Sequence, residues 1–178
     1  MRGSAPPISG AVRIQGARIT EVGSDLKPYP GETIVSLNHH ILLPGLINAH
    51  CHLDYTALKG SIFPGESFTK WIHKINALKQ SMGPEDFIES IEAGYQLLLR
   101  GGCTTVLNLE AFPELLLKLS RPPLRVWWFL ELIDVRTRLA GEEMLMGALE
   151  FFDTRSDWLG DLVWHLTPLI QQASNSSA

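Results

Sequence analysis

Four short apolar runs, separated by helix-like segments, constrain the fold more than any other feature of this sequence. The runs lie at residues 45–50, 104–108, 124–132 and 162–166. The first, GLINAH, is typical of a strand that is buried on both faces of a sheet. Strands that alternate with helices indicate parallel βαβ units rather than an antiparallel meander. The pattern therefore predicts an α/β fold built on a parallel sheet.

The segments between these runs predict helices at about 71–78, 84–100, 110–119 and 142–152. The second of these helices has the clearest end signals. It begins at Pro84, two acidic residues follow in the first turn, and Gly101-Gly102 ends it. Its buried stripe is predicted to consist of Ile88, Ile91, Tyr95 and Leu98.

The first 43 residues have a different pattern and predict a separate small β unit. Residues 10–23 predict a hairpin with its turn at Gly16-Ala17. After a connector rich in Pro and Gly, residues 34–37 and 41–43 resume strand character. At the other end, residues 169–178 predict a polar, unstructured tail. The expected organisation is thus a β unit at 1–43, an α/β unit at 44–168 and a tail at 169–178.

Charge and cysteine content argue against several classes of protein. Fifteen basic and nineteen acidic residues give a net charge of −4, which leaves no cationic surplus for nucleic acid or anionic membranes. Neither a secretory signal nor an eighteen-residue apolar stretch occurs in the sequence. Cys51 and Cys103 lie too far apart for a CxxC motif, and two cysteines are too few for a disulfide scaffold. We expect a cytoplasmic protein without nucleic-acid or membrane partners.

The residues that most strongly suggest chemistry are His50 and His52, at the end of the first apolar run. In an extended strand they project to the same face, whereas Cys51 projects to the other. Parallel α/β folds build their active sites at this end of the strands, and neutral imidazole binds Zn²⁺, Fe²⁺, Ni²⁺ or Cu²⁺. A catalytic zinc normally has three protein ligands and one open position, so this pair would supply two of them.

Other polar residues are weaker candidates. Asp54 could add a ligand if the strand continued, but it is expected to begin a loop and to bond the local backbone. His165 could join the pair if the sheet curls, although a structural histidine is the more common outcome. We expect His39, His40 and His73 at the surface, and both cysteines as small buried hydrophobes. Glu131 and Asp134 end the third run and could be caps or acids.

The segment LPGLINAHCHLDYT, residues 43–56, closely resembles the signature of the metal-dependent amidohydrolase superfamily, in its aminohydrolase and chlorohydrolase branch. Further similarity to that branch lies at residues 58–60, 68–72, 99–106 and 131–136. The resemblance extends from about Ala11 to about Pro168. It implies the N-terminal part of a (β/α)8 barrel, with about four strands, preceded by strands of a small β-sandwich domain.

The resemblance also implies a cofactor and a reaction. In that branch, the two histidines of the first strand bind a catalytic divalent metal together with a histidine on strand 5 and an aspartate on strand 8. The metal activates water, which displaces ammonia, an amine or chloride from a ring or amidine carbon. His50 and His52 occupy the positions of the first two ligands. Zinc is expected rather than iron, and the substrate is expected to be a small molecule. The isolated chain is expected to be inactive, because the later strands are absent from it.

Two departures from the branch narrow the expectation. Lys70 stands where nucleoside deaminases of this branch have an acidic residue that contacts ribose, which argues against a ribose-bearing substrate. Pro168-Leu169 stands where the family has Pro-His at the end of strand 4, which suggests a reading frame that is truncated near codon 168.

Two other hypotheses about this chain stand beside the enzyme. The first is a non-catalytic half-barrel that assembles through its open strand edges, for example into a homo-oligomer. The second is an unstable product of a damaged gene.

Overall fold

The computed structural model describes residues 6–63, 67–132, 146 and 169–170. The chain divides into two compact units, Met1–Leu43 and Pro44–Ala178. The strands are β1 (Ala11–Gln15), β2 (Arg18–Gly23), β3 (Leu46–Cys51), β4 (Cys103–Glu110), β5 (Arg125–Leu132) and β6 (Leu169–Ile170). The helices are α1 (Phe68–Lys79) and α2 (Pro84–Arg100), and two short 3-10 helices span Leu53–Leu58 and Pro113–Leu117.

The first unit contains the predicted hairpin. β1 and β2 pair antiparallel, and Gly16 takes a positive φ of 59° in the turn between them. The connector is tied to this hairpin by Arg13, whose Nε donates to Glu32 Oε1 over 2.7 Å. The prediction of strands at 34–37 and 41–43 is wrong. In the part of the chain that the structure describes, these residues pair with no strand. Strand propensity without a pairing partner does not make a strand.

The second unit is built on the predicted parallel sheet. The strands follow the order β3-β4-β5-β6, and every neighbouring pair is parallel. Residues 169 and 170 were expected in the tail, but they pair with Glu131 and Leu132 of β5 as a short parallel strand. Leu169 and Ile170 are apolar, and Ile favours strands, unlike the polar residues that follow them. The strand predicted at 162–166, most of the helix at 142–152 and the remainder of the tail lie outside the described residues.

The two helices begin where side chains accept free backbone N–H groups. Ser67 Oγ accepts the N–H of Lys70 at the start of α1, and the Asp86 carboxylate accepts the N–H of Gly83 over 2.7 Å at the start of α2. The end signals predicted for α2 are therefore confirmed. Its buried side is rotated from the predicted stripe and consists of Phe87, Ser90, Ile91, Gly94 and Tyr95.

The helix predicted at 110–119 is wrong. β4 continues to Glu110, and only a short 3-10 helix follows at Pro113–Leu117. Pro113 disfavours α-helical backbone at the residue before it, so the chain cannot start the helix as early as the apolar pattern suggested. Leu115, Leu116 and Leu119 are still buried in the core.

The core of the second unit lies between α2 and the sheet. Its largest buried side chains include Tyr95 and Ile91 of α2, Leu53 from the first 3-10 helix, and Trp128 of β5. Packing α2 onto the sheet in this way brings the 3-10 helix at 53–58, which directly follows the two histidines, against α2. Among the described helices, none combines the length and the apolar character needed to cross a bilayer.

Candidate metal centre

His50 and His52 lie side by side at the C-terminal end of β3. Their ring centroids are 5.5 Å apart, with an angle of 62° between the ring planes. An imidazole nitrogen binds zinc at about 2.0–2.1 Å, which places each ring centroid about 3 Å from the ion. Two imidazoles can therefore share one ion at the observed separation, and the donor chemistry fits a divalent metal.

The strand that carries the two histidines is bulged at this point. Asn48 pairs with Val106 and Cys51 pairs with Asn108, so β3 advances three residues where β4 advances two. The Asn48 Oδ1 accepts the N–H of His50 over 3.2 Å within this irregular segment. Bulges occur beside active sites, where they redirect a side chain. The bulge interrupts the regular alternation of side chains between the two faces of the strand that the sequence predicted. The two imidazole rings nevertheless lie beside each other.

An aromatic ring supports the second histidine. The ring of Tyr55 stacks on that of His52, with centroids 4.7 Å apart and planes 17° from parallel. The ammonium of Lys79 lies over the ring of Tyr55, 4.3 Å from its centroid. His52 is half-buried and His50 is exposed, so the fold shields one ligand candidate in part and leaves the other accessible to solvent.

Hydrogen bonds from two other elements hold the 3-10 helix that follows His52. Asn108 of β4 accepts the N–H of Leu53 through Oδ1 over 2.8 Å. Ser90 of α2 accepts the N–H of Ala57 over 2.9 Å, and its hydroxyl donates towards the carbonyl of Asp54, also 2.9 Å away. Both side chains are buried. The turn after the histidines is thereby fixed to the sheet and to α2.

Asp54 forms a buried ion pair instead of bonding the local backbone. Its Oδ2 lies 2.7 Å from Nζ of Lys79, and only 1% of its surface is exposed. The same ammonium lies over the rings of Phe87 and Phe112, at 5.7 and 5.0 Å from their centroids. Within the ranges that the structure describes, no three His, Cys, Asp or Glu side chains are grouped as a metal site. Asp54 is therefore not brought to the histidines as a third ligand.

Glu110 is a buried carboxyl group at the same end of the sheet, where β4 stops. Burial first, and then the nearby negative charge of Asp54, raise its pKa to about 8. The N–H of Phe112, which donates to Glu110 over 3.0 Å, acts in the opposite direction and lowers this pKa. Neither Asn108 nor Glu110 was predicted as a site residue, because the predicted strand ends at Asn108 and the predicted helix begins at Glu110. Their spacing of two at the end of a strand was the signal that could have identified them.

The remaining sequence candidates lie elsewhere. His39, His40 and His73 are exposed, as expected. Cys51 and Cys103 are half-buried free thiols, and burial raises the pKa of Cys51. His165 and Asp134 are outside the described residues, and Glu131 is described only as part of the backbone of β5.

A family model described as "Amidohydrolase family" matches residues 41–131, just over half of the chain. The chain is 33% identical over 103 residues to a 5'-deoxyadenosine deaminase of Methanothrix thermoacetophila, a match that covers 58% of this chain and 25% of that protein. It is also 33% identical over 100 residues to an isoxanthopterin deaminase of an unknown prokaryotic organism, covering 53% of this chain and 20% of that protein.

A solved structure shares the fold of the chain. It is an adenosine deaminase from Xanthomonas campestris with bound zinc, which superposes with a TM-score of 0.54 at 26% identity and covers 71% of this chain. The match covers 29% of the solved chain. The chain therefore spans between a fifth and three tenths of the length of these two relatives and this structure.

Proposed function

The chain belongs to the amidohydrolase family, a metal-dependent family, and from that premise we propose that it supplies two metal ligands, His50 and His52, to a hydrolase that cleaves C–N bonds. The observation that carries the proposal is the pair of imidazoles, 5.5 Å apart at the C-terminal end of the first parallel strand. That end of the strands is where parallel α/β folds place their reacting groups. The family match, over residues 41–131, includes the whole of this strand.

Zinc is the metal that we propose. A divalent metal in such a centre would lower the pKa of its bound water to about 7 and so would supply a nucleophile at neutral pH. The zinc reported in the structure of the adenosine deaminase supports this choice over iron. Both imidazoles must be neutral to bind the ion.

Each histidine has its own support in the fold. The N–H of His50 is held by the side chain of Asn48, and the ring of His52 is stacked on Tyr55. The side chain of His50 is exposed, which leaves it accessible to a substrate. In the proposed enzyme these residues orient two ligands, while the other groups of the reaction come from parts of the protein that lie outside the described residues.

The proposed reaction is hydrolytic deamination of a nitrogen heterocycle with an exocyclic amino group. Water adds to the ring carbon that carries the amino group, the C–N bond breaks, and ammonia leaves with a proton taken from the water. Deaminases of a deoxynucleoside and of a pterin among the relatives support this substrate class. Displacement of chloride from the same kind of carbon is a narrower alternative, which a chlorinated ring analogue would test.

Ammonia release measures this proposal directly. The protein that contains this chain is loaded with zinc and incubated with 5'-deoxyadenosine, adenosine or isoxanthopterin. We expect turnover of at least one of them, which His50→Ala and His52→Ala abolish and the exposed-surface control His73→Ala leaves intact. Wild-type rates in either of the first two variants would overturn the proposal. Tested alone, the 178-residue chain should be inactive, because the part of it that the structure describes brings only two of the family's ligands, His50 and His52, together.

The choice between nucleoside and free ring depends on Lys70. This residue lies in the first turn of α1, where a basic group replaces the acidic one expected in nucleoside deaminases. We propose that the free heterocycle is preferred. The ratio of kcat/KM for isoxanthopterin to that for 5'-deoxyadenosine should exceed one in the wild type and fall in Lys70→Glu. A wild-type ratio below one would assign the protein to the nucleoside deaminases instead.

A second candidate function is assembly through the open edge of the sheet. Among the described strands β3 pairs only with β4, and its Leu46 and Ile47 are 56% and 58% exposed. A copy of the same chain could cover this edge. Light scattering of the 178-residue chain tests the idea, since a monomer at micromolar concentration would exclude it.

We propose a cytoplasmic location for either function. The free thiols of Cys51 and Cys103 support it, because cysteines stay reduced in the cytosol.

A further inference from the structure

The backbone N–H of Leu53 lies buried at the start of a short 3-10 helix, and its own helix provides no partner for it. The N-cap of this 3-10 helix is His52, whose side chain makes no capping hydrogen bond. The first N–H groups of any helix need acceptors from outside it, and a buried donor without one is costly. The residue before this N–H is one of the two proposed metal ligands, so whatever binds the N–H also fixes the backbone of that ligand.

Asn108 supplies the missing cap from the neighbouring strand. Its Oδ1 lies 2.8 Å from the N–H of Leu53, and its side chain is fully buried. On the other side of the amide, Nδ2 lies 3.5 Å from Oε2 of Glu110. The strand register explains how a residue so distant in sequence arrives there, because Asn108 pairs with Cys51, one residue before His52.

Ser90 fixes the same helix through a second set of hydrogen bonds. Its Oγ is 2.9 Å from the carbonyl oxygen of Asp54 and 3.2 Å from that of Leu53, and it accepts the N–H of Ala57 over 2.9 Å. The serine belongs to α2, whereas Asn108 belongs to β4. Two buried side chains on separate elements therefore determine where the helix begins. The Tyr55 ring, which stacks on His52, is carried by this helix.

We infer that Asn108 and Ser90 are positioning residues for the metal ligand His52, which they hold through the 3-10 helix at 53–58. The inference rests on the proposed role of His52 in metal binding. Neither side chain contacts the metal or the substrate in this role. They fix the point where the chain leaves the strand, and this point sets the direction of the His52 ring and the position of Tyr55 beneath it. Groups that orient metal ligands typically contribute 10–100-fold to metal affinity.

Metal affinity and ligand geometry test the inference on the zinc-binding protein that contains this chain. Zinc affinity is measured by competition with a chromogenic chelator, and the visible spectrum of the Co²⁺-loaded protein reports the ligand geometry. We expect Asn108→Leu, which keeps the size of the side chain but removes the acceptor, to weaken zinc binding by about 10–100-fold and to change the Co²⁺ spectrum. Asn108→Asp keeps an acceptor for Leu53 and should recover most of the affinity.

Ser90→Ala provides an independent variant, with Ser120→Ala as its matched control. Ser120 also donates a side-chain hydrogen bond, over 2.7 Å to Glu92, but it is exposed and remote from the histidines. We expect weaker zinc binding and a changed spectrum only in Ser90→Ala. A second control, Val126→Ala in the core of β5, reveals what simple loss of stability does to zinc affinity.

The outcomes separate this inference from the proposed function. Zinc affinity that is absent in the wild type, or that is unchanged in His50→Ala and His52→Ala, would overturn the proposed function and this inference with it. A different result would overturn the positioning role alone. In that case zinc binding depends on both histidines, but Asn108→Leu and Ser90→Ala bind zinc as tightly as Val126→Ala and keep the wild-type Co²⁺ spectrum.

Discussion

Lys79 of α1 places its ammonium 2.7 Å from the carboxylate of Asp54, two residues after the proposed ligand His52. Asp54 is 1% exposed, and three aromatic rings, those of Tyr55, Phe87 and Phe112, surround the ammonium. The pair therefore joins α1 to the turn beside the candidate metal centre. A buried ion pair of this kind is most sensitive to the loss of one partner, because the remaining charge stays in a medium that solvates it poorly.

Lys79→Met should lower the free energy of unfolding by about 3–5 kcal/mol, since it leaves the Asp54 carboxylate buried without its cation. Urea denaturation measures the loss. Adding Asp54→Asn should recover part of it, because the uncompensated charge is then removed. The matched control is Lys118→Met, which breaks an exposed pair with Glu85 at 3.1 Å and should cost less than about 1 kcal/mol. Equal losses in the two lysine variants would contradict the buried-pair account.

Glu110 should make the protein less stable as the pH rises. Burial raises its pKa to about 8, from an ordinary value of 4.5 in the unfolded chain. Between these two values the unfolded state releases the proton and the folded state keeps it, so stability falls with pH by up to roughly 1.4 kcal/mol per unit. Below pH 4.5 and above about pH 8 this contribution becomes constant.

Glu110→Gln should remove this pH dependence, because the amide cannot ionise but can still accept the N–H of Phe112. Urea midpoints measured from pH 5 to pH 8 report the slope for each protein. The exposed residue Glu89 provides the comparison, and Glu89→Gln should keep the wild-type slope. A slope that survives in Glu110→Gln would assign the pH dependence to other groups.

Gly94→Ala should displace the 3-10 helix from α2. A Cβ at Gly94 would lie 2.7 Å from both Leu53 Cδ2 and Thr56 Oγ1, closer than real Cβ contacts allow. We expect a loss of about 1–3 kcal/mol in stability, typical of overpacking, together with weaker zinc binding. At Gly83 the nearest atom would be 3.7 Å away, so Gly83→Ala should cost about 1 kcal/mol or less and leave zinc affinity unchanged. Wild-type stability in Gly94→Ala would show that the helix can shift freely.

Removal of metal by a chelator should abolish deamination by the protein that contains this chain, and added Zn²⁺ should restore it. The reason is that neutral water is a poor nucleophile until a metal lowers its pKa. In His52→Ala, added Zn²⁺ should not restore the rate, because one proposed ligand is missing. Ammonia release before and after addition of metal measures both effects. Full activity in the chelator-treated wild type, verified free of metal by mass spectrometry, would contradict a metal-dependent reaction.

Local sequence features by themselves determined several parts of this protein. The alternation of apolar runs and helices determined a parallel sheet, and Pro84 and Gly101-Gly102 determined where α2 begins and ends. The spacing of His50 and His52 placed two imidazoles together at a strand end, where the structure finds them. Each of these features depends on residues only a few positions apart, so the periodicity and end signals of the sequence are enough to predict them.

Only the tertiary structure decided how the surroundings of His52 are built. Asn108 and Leu53 are 55 residues apart in the sequence, and Lys79 and Asp54 are 25 apart. The bulge in β3, the buried ion pair and the raised pKa of Glu110 all depend on which elements pack together and in which register. A polar residue has the same local pattern whether it ends up in water or in a core, and its burial, partner and pKa are set only when distant segments exclude the solvent around it.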